Sequence, residues 1–107
     1  MTWQLSYYSS KLAKQMDNWP RGIRASFLRI TEAMMEQGPD LGMPHTRAMG
    51  AGLFEVRAKW REGIGRAFYC GVVGQRIVIL HAIIKKTEKT PVRDIEIARS
   101  RLKEVKL

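Results

Sequence analysis

Apolar and polar residues follow two different periods along this chain of 107 residues, and the change of period separates a helical first half from a strand-rich second half. Trp3 to Tyr8 alternates loosely and is rich in aromatic rings, which predicts a first strand. Ser9 or Ser10 is suited to cap a helix running to about Asn18, with Leu12, Ala13 and Met16 on its apolar side. Pro20 and Gly22 interrupt the pattern, and Pro20 suits the first turn of a second helix. There Ile23, Phe27, Ile30 and Met34 recur at i, i+4, i+7 and i+11, one face of a 3.6-residue helix, before Gly38-Pro39 stops it. The expected product is an antiparallel helix pair across one face of a sheet, with the stripe as core packing.

Residues 38–52, GPDLGMPHTRAMGAG, carry no useful period and read as a long loop, with His45 and Arg47 as its reactive side chains. Beyond it the period falls to two. From Leu53 to Trp60, Phe54, Val56, Ala58 and Trp60 face one way and Glu55, Arg57 and Lys59 the other. Successive cations on that face stand ~6.6 Å apart, a spacing suited to a phosphate track or to a solvated face balanced by Glu55 and Glu62. Glu62-Gly63 predicts a turn, Gly65 to Val73 a strand and Gly74-Gln75 another turn. Arg76 to Lys85 or Lys86 contains IVILHAII, apolar on both faces, and reads as the central, doubly covered strand. These three runs predict an antiparallel meander. After a polar break from Thr87 to Thr90, Thr90 is expected to cap a final helix with Pro91 in its first position. Ile95, Ala98, Leu102 and Val105 form the apolar side of that helix. Arg93, Arg99, Arg101, Lys103 and Lys106 form a basic side, and the helix is expected to dock on the sheet edge or grip a partner. The fold class is α+β: an N-terminal strand, a two-helix hairpin, a three-strand meander and a C-terminal helix in one domain, 1–107.

Charge sharpens this picture. The chain carries 19 Lys and Arg against 10 Asp and Glu, a net +9 with a pI near 10.2, which points to a polyanionic partner. Residues 1–52 contribute +2 and residues 53–107 contribute +7, so the basic character belongs to the strand-rich half. Cys70 is the only cysteine, which excludes an intrachain disulfide and suits a reducing compartment. No apolar run approaches the ~20 residues of a membrane span, and the N-terminus lacks signal-peptide character. A cytoplasmic protein with no membrane partner is expected.

Several chemistries drop out. Two histidines and one cysteine offer no metal-ligand spacing, and neither nucleotide-binding glycine motif is present. The carboxylates are too scattered for a glycosidase pair. What remains is a set of cations, Arg57, Lys59, Arg66, Arg76, Lys85 and Lys86, with Tyr69 and His81 close in sequence. Such a set can bind a phosphodiester, and it can cleave RNA. The 2′-hydroxyl then attacks phosphorus, a base takes its proton, a cation stabilises the phosphorane and an acid protonates the leaving 5′-oxygen. A lysine crowded by other cations suits the base, an arginine suits the phosphorane, and no metal or other cofactor is required. His81, between Leu80 and Ala82, suits either an acid–base role or a structural hydrogen bond. Trp60 and Tyr69 suit either base stacking or core packing.

Three strings carry a family resemblance: LFEVR at 53–57, RAFY at 66–69 and LHAIIKKTEKTP at 80–91. Together they resemble the phage-derived HigB-like branch of the RelE/ParE toxin superfamily, with H-x-x-x-K-K-x-x-K-T-P the most specific part. The resemblance implies a RelE-like fold and the toxin of a type II toxin–antitoxin pair. RelE and HigB members cut mRNA, usually in the ribosomal A site, whereas ParE members inhibit DNA gyrase. The implied partners are a helix-turn-helix antitoxin, the ribosome and mRNA, and operator DNA only through the toxin–antitoxin complex. By the same resemblance Arg66 matches an arginine that contacts the scissile phosphate, Arg57 a basic position of the first string, and Lys85 and Lys86 a basic pair. The expected catalytic set is therefore Arg66, Lys85, Lys86 and His81, with Arg47, Arg57, Lys59, Arg76 and Lys89 binding phosphates. Ile83 stands where the family commonly has an aromatic residue, and no tyrosine follows Tyr69. A ParE-like gyrase inhibitor and a non-catalytic nucleic-acid-binding protein are the alternative readings.

Overall fold

The structure, a computed structural model, describes residues 2–86 and 89–106. The amphipathic stripes of the first half form helices α1 (Ser10–Asp17) and α2 (Arg21–Gln37). Ser9 caps α1, its Oγ accepting from the Leu12 amide at 3.1 Å, which satisfies one of the donors left over at a helix start. Ile23, Phe27, Ile30 and Met34 are all buried on α2, as their period predicts, and Gly38 ends it at a φ of 106°. Such a φ is strained for other residues.

Five strands form one sheet in the order β1-β5-β4-β3-β2: β1 (Gln4–Tyr7), β2 (Thr46–Gly50), β3 (Leu53–Trp60), β4 (Gly63–Val72) and β5 (Arg76–Lys85). β1 lies parallel to β5, and the other neighbours are antiparallel. The expected three-strand meander is therefore extended on both sides. β2 occupies part of the stretch expected to be a loop, because TRAMG pairs with β3 through its backbone despite its weak strand propensity. The central position belongs to β4, and β5 is second from the edge.

Helices α1 and α2 cover one face of the sheet, where Val56, Ala58, Ala67, Tyr69, Ile77 and Ile79 join the α2 stripe in a core. Helix α3 (Val92–Lys106) covers the other, placing Ala98 and Leu102 against Leu53, Phe68, Val78 and Leu80. It docks on the sheet's face rather than its edge. Its basic side is partly used in doing so: Arg99 donates to the Met49 and Gly50 carbonyls, and Arg101 donates to the Leu80 carbonyl while lying over the Tyr8 ring. Pro91 stands just before α3, its carbonyl accepting from Asp94, and the Thr90 hydroxyl, expected to cap the helix, donates to Glu55 instead. Thr87 and Glu88 of the expected polar break lie outside the described residues. Among the described residues, no helix is long and apolar enough to cross a membrane.

A β-bulge sets which residues of β5 meet α3. Phe68 pairs with His81 and Tyr69 with Ile79, which leaves Leu80 without a cross-strand partner. The extra residue lets Leu80 and His81 both serve the α3 face, and returns Ala82 to the α1–α2 core.

Two glycines show how closely the layers approach. A Cβ on Gly65 would stand 2.6 Å from Ile23 Cγ2 and 2.7 Å from the Trp19 ring, both buried. The atoms nearest to one on Gly22 all belong to the ring of Trp60, which is half exposed and so less tightly held. Gly65→Ala is therefore expected to destabilise by about 1–3 kcal/mol, the usual cost of overpacking, and Gly22→Ala by clearly less. Urea unfolding of the two variants checks the order.

Candidate nucleic-acid interface

Antiparallel pairing of β3, β4 and β5 aligns side chains in rows on the face that carries α3. Glu55, Phe68 and His81 form the first row, Arg57, Arg66 and Ile83 the second, and Lys59, Ile64 and Lys85 the third. α3 reaches the first row: Asp94 Oδ1 lies 2.8 Å from His81 Nε2, and the Thr90 hydroxyl donates to Glu55 Oε2 at 3.1 Å. The second and third rows follow further along the same face. Their cations gather at that end of the sheet because the strand period puts every second residue on one face, and pairing sets the three strands in register.

Arg57 and Arg66 are direct cross-strand neighbours, a like-charge pairing that is unfavourable by itself. Glu55, two residues before Arg57 on the same face, compensates for it. Its carboxylate is completely buried. Arg66 Nη1 donates to Oε2 at 3.3 Å, Arg47 Nη2 stands 3.2 Å from Oε1, and Arg57 Nε is 3.8 Å from the same oxygen. Three arginines and one threonine thus share a single carboxylate. A buried carboxylate demands such company, since the cost of removing a charge from water is several kcal/mol. Sequence reasoning treated Glu55 only as a balancing charge on an outer face. Apart from Arg57, its partners stand 8, 11 and 35 residues away, so no local pattern revealed its position at the centre.

The sequence-predicted residues fall into distinct places. Arg66 is fully buried and Arg57 nearly so, which corrects the picture of an open ladder of cations along β3. Arg47 is partly exposed on β2 and linked to Glu55. Lys59, Lys85 and Lys86 are exposed around the third row, and Lys89, also exposed, directly precedes the Thr90 contact to Glu55. Arg76 is not brought to this cluster. It begins β5, nine residues from Lys85 and hence roughly 30 Å away along the strand. His81 stacks on Phe68, with ring centroids 6.2 Å apart, and is mostly shielded. Tyr69 belongs to the core: it stacks on Phe54, donates to the Pro39 carbonyl, and burial above all pushes its phenol well above the usual tyrosine range. Trp60 is half exposed and packs its ring over Gly22. Among the described residues, no group of three or more His, Cys, Asp or Glu could hold a metal ion.

Around the outer edge of β3 this basic end opens into a cleft of about 350 Å³ between α2 and the loop before β2. Arg57 and Lys59 line it as well, together with Arg29 and His45.

A five-stranded sheet with two helices on one face, one helix on the other and a carboxylate-centred arginine cluster defines a small α+β protein with a basic end to its sheet. Residues 14–103 match the family model described as "Phage derived protein Gp49-like (DUF891)", and the chain belongs to that family. In fold it is similar to a chain of the archaeal RelE–RelB complex from Pyrococcus horikoshii OT3. That likeness spans 83% of this chain and 100% of that one, at 18% identity and a TM-score of 0.54. No curated protein matches the sequence.

Proposed function

We propose that this protein is the toxin of a type II toxin–antitoxin pair and that it cleaves mRNA on the ribosome. The observation that carries the reading is the row arrangement: Arg57 and Arg66 beneath, Lys59 and Lys85 beside them, on neighbouring strands of a RelE-like sheet in a Gp49-like chain. A scissile phosphate over the third row meets the exposed Lys59 and Lys85, with Lys86 next along the chain. Arg66 and Arg57, fixed by Glu55, add positive potential from below that grows in value as charge develops on the phosphorane. In this role Arg66 is the fixed cation under the phosphate.

The reaction moves one proton at each end. A lysine of the third row takes the proton of the 2′-hydroxyl as its oxygen bonds to phosphorus. A second cation gives a proton to the departing 5′-oxygen, leaving a 2′,3′-cyclic phosphate and a 5′-hydroxyl. His81, held by Asp94, serves as a link that fixes α3 on the sheet beside the site. The partner that restrains this activity is an antitoxin of the helix-turn-helix kind. The net charge of +9 favours an acidic toxin-binding segment in it.

The test is to map mRNA 5′ ends shortly after induced expression, with and without the neighbouring gene. New 5′ ends within translated codons, suppressed when the neighbour is co-expressed, are the expected result. DNA breaks and an SOS response without mRNA cleavage would replace this reading by gyrase inhibition. Unimpaired growth would leave a non-toxic nucleic-acid-binding protein.

A further inference from the structure

We infer that the cleft between α2 and the outer edge of β3 binds a single nucleotide of the RNA strand, base inward, beside the phosphate at Lys59. The inference rests on the reading of the basic rows as an RNA site.

The cleft follows from the pairing of β2. Thr46 pairs with Val56, so the last four residues of β3 run on beyond the described start of β2. The preceding loop folds back on itself: the Thr46 amide donates to the Gly42 carbonyl at 3.0 Å, and the Gly42 amide to Thr46 Oγ1 at 2.8 Å. The His45 carbonyl accepts from the Arg57 amide at 2.8 Å, which anchors the His45 backbone to β3 at the cleft wall. Between this loop and α2 a space remains whose walls include Ile30, Ala33 and Leu41.

Size and charge select the occupant. At about 350 Å³ the cleft lies at the small end of the ~300–1,000 Å³ range of small-ligand sites, enough for one flat group and too small for a helix. Its apolar wall suits a nucleobase. Arg29, His45 and Lys59 supply cations and planar groups, and among the described residues no carboxylate lines it. Guanidinium and imidazole planes are common stacking partners for unpaired bases, and sequence-specific RNA recognition targets bases splayed out of single strands. Arg57 and Lys59 belong both to the cleft and to the basic rows, so a strand whose phosphate lies at Lys59 has its next nucleotide at the cleft mouth. This gives His45 a part that the catalytic reading leaves open.

The test uses the full chain, labelled for amide NMR, with adenosine 5′-monophosphate and a single-stranded RNA tetranucleotide as probes. Both are expected to shift the amides of Ala33, Leu41 and His45. Ala33→Trp, which fills the cleft, and Arg29→Glu, a surface change that leaves the fold intact, are each expected to weaken the tetranucleotide at least tenfold, with Arg76→Ala unaffected. Tetranucleotide shifts at Lys59 and Lys85, with none at Ala33 or His45 and full affinity in Arg29→Glu, would overturn the inference and leave the RNA site standing. Absence of any RNA binding would remove both. A hexaglutamate peptide that shifts the cleft amides more strongly than the nucleotide would make this a protein-docking site and overturn the inference as well.

Discussion

Glu55→Ala is expected to lower the unfolding free energy by about 3–5 kcal/mol, the range for removing one partner of a buried ion pair. The loss has two parts. Arg66 is completely buried, so it would keep its desolvation cost while losing the Glu55 carboxylate at 3.3 Å. Arg57, nearly buried and directly opposite Arg66, would face like charge without the intervening carboxylate. Arg47 contributes less, because it is 43% exposed and its pairing is screened by solvent. Glu55→Gln separates charge from shape: it can still accept from Thr90 and Arg66, and it carries no charge to oppose the arginines. It is expected to lose more than half of what the alanine variant loses. Denaturant titration of the purified variants measures both. A glutamine variant within 1 kcal/mol of the parent would show that shape, rather than charge, holds the cluster together.

The same carboxylate marks where sequence reading succeeds and where it stops. α2 was legible because Ile23, Phe27, Ile30 and Met34 repeat at a helical period that depends on no distant residue. The faces of β3 were legible for the same reason: alternation assigns Val56 and Ala58 to one side and Glu55 and Arg57 to the other. What alternation cannot state is whether a polar face meets water. Here Glu55 and Arg66 are both buried, and the Thr90 hydroxyl, from the segment before α3, closes on Glu55. β2 escaped notice because Thr-Arg-Ala-Met-Gly has neither apolar alternation nor much strand propensity, and owes its form to the exposed edge of β3. The bulge at Leu80 was hidden in a run that is apolar on both faces, where a slip of register leaves no mark in the pattern. Basic positions on successive strands were legible in the sequence, whereas their alignment in rows around Arg57, Arg66 and Lys85 required the pairing register. The remoteness of Arg76 required the direction of β5.

Burial also decides which substitutions report on function. Arg66→Ala removes a fully buried side chain from an ion-paired cluster, so loss of toxicity in that variant would mix chemistry with unfolding. Lys59, Lys85 and Lys86 are exposed, and alanine at each is expected to change stability by no more than about 0.5 kcal/mol. Their effect on RNA should be large by contrast. Each lysine that neutralises a phosphate contributes about 0.7 to the slope of log affinity against log salt for a single strand, and its removal should flatten the slope by that amount. If one of them also carries the proton of the 2′-hydroxyl or the 5′-oxygen, cleavage by that variant falls by roughly 10²–10⁴ beyond the loss of binding. Lys59→Ala combined with Lys85→Ala is therefore expected to abolish growth arrest while the protein unfolds at the parental denaturant midpoint. Arg76→Ala, at the far end of β5, is the matched control that removes one exposed positive charge and should leave salt slope, cleavage and toxicity unchanged. Equal losses in the control and the double variant would mean that overall charge, rather than the rows at the end of the sheet, attracts the RNA.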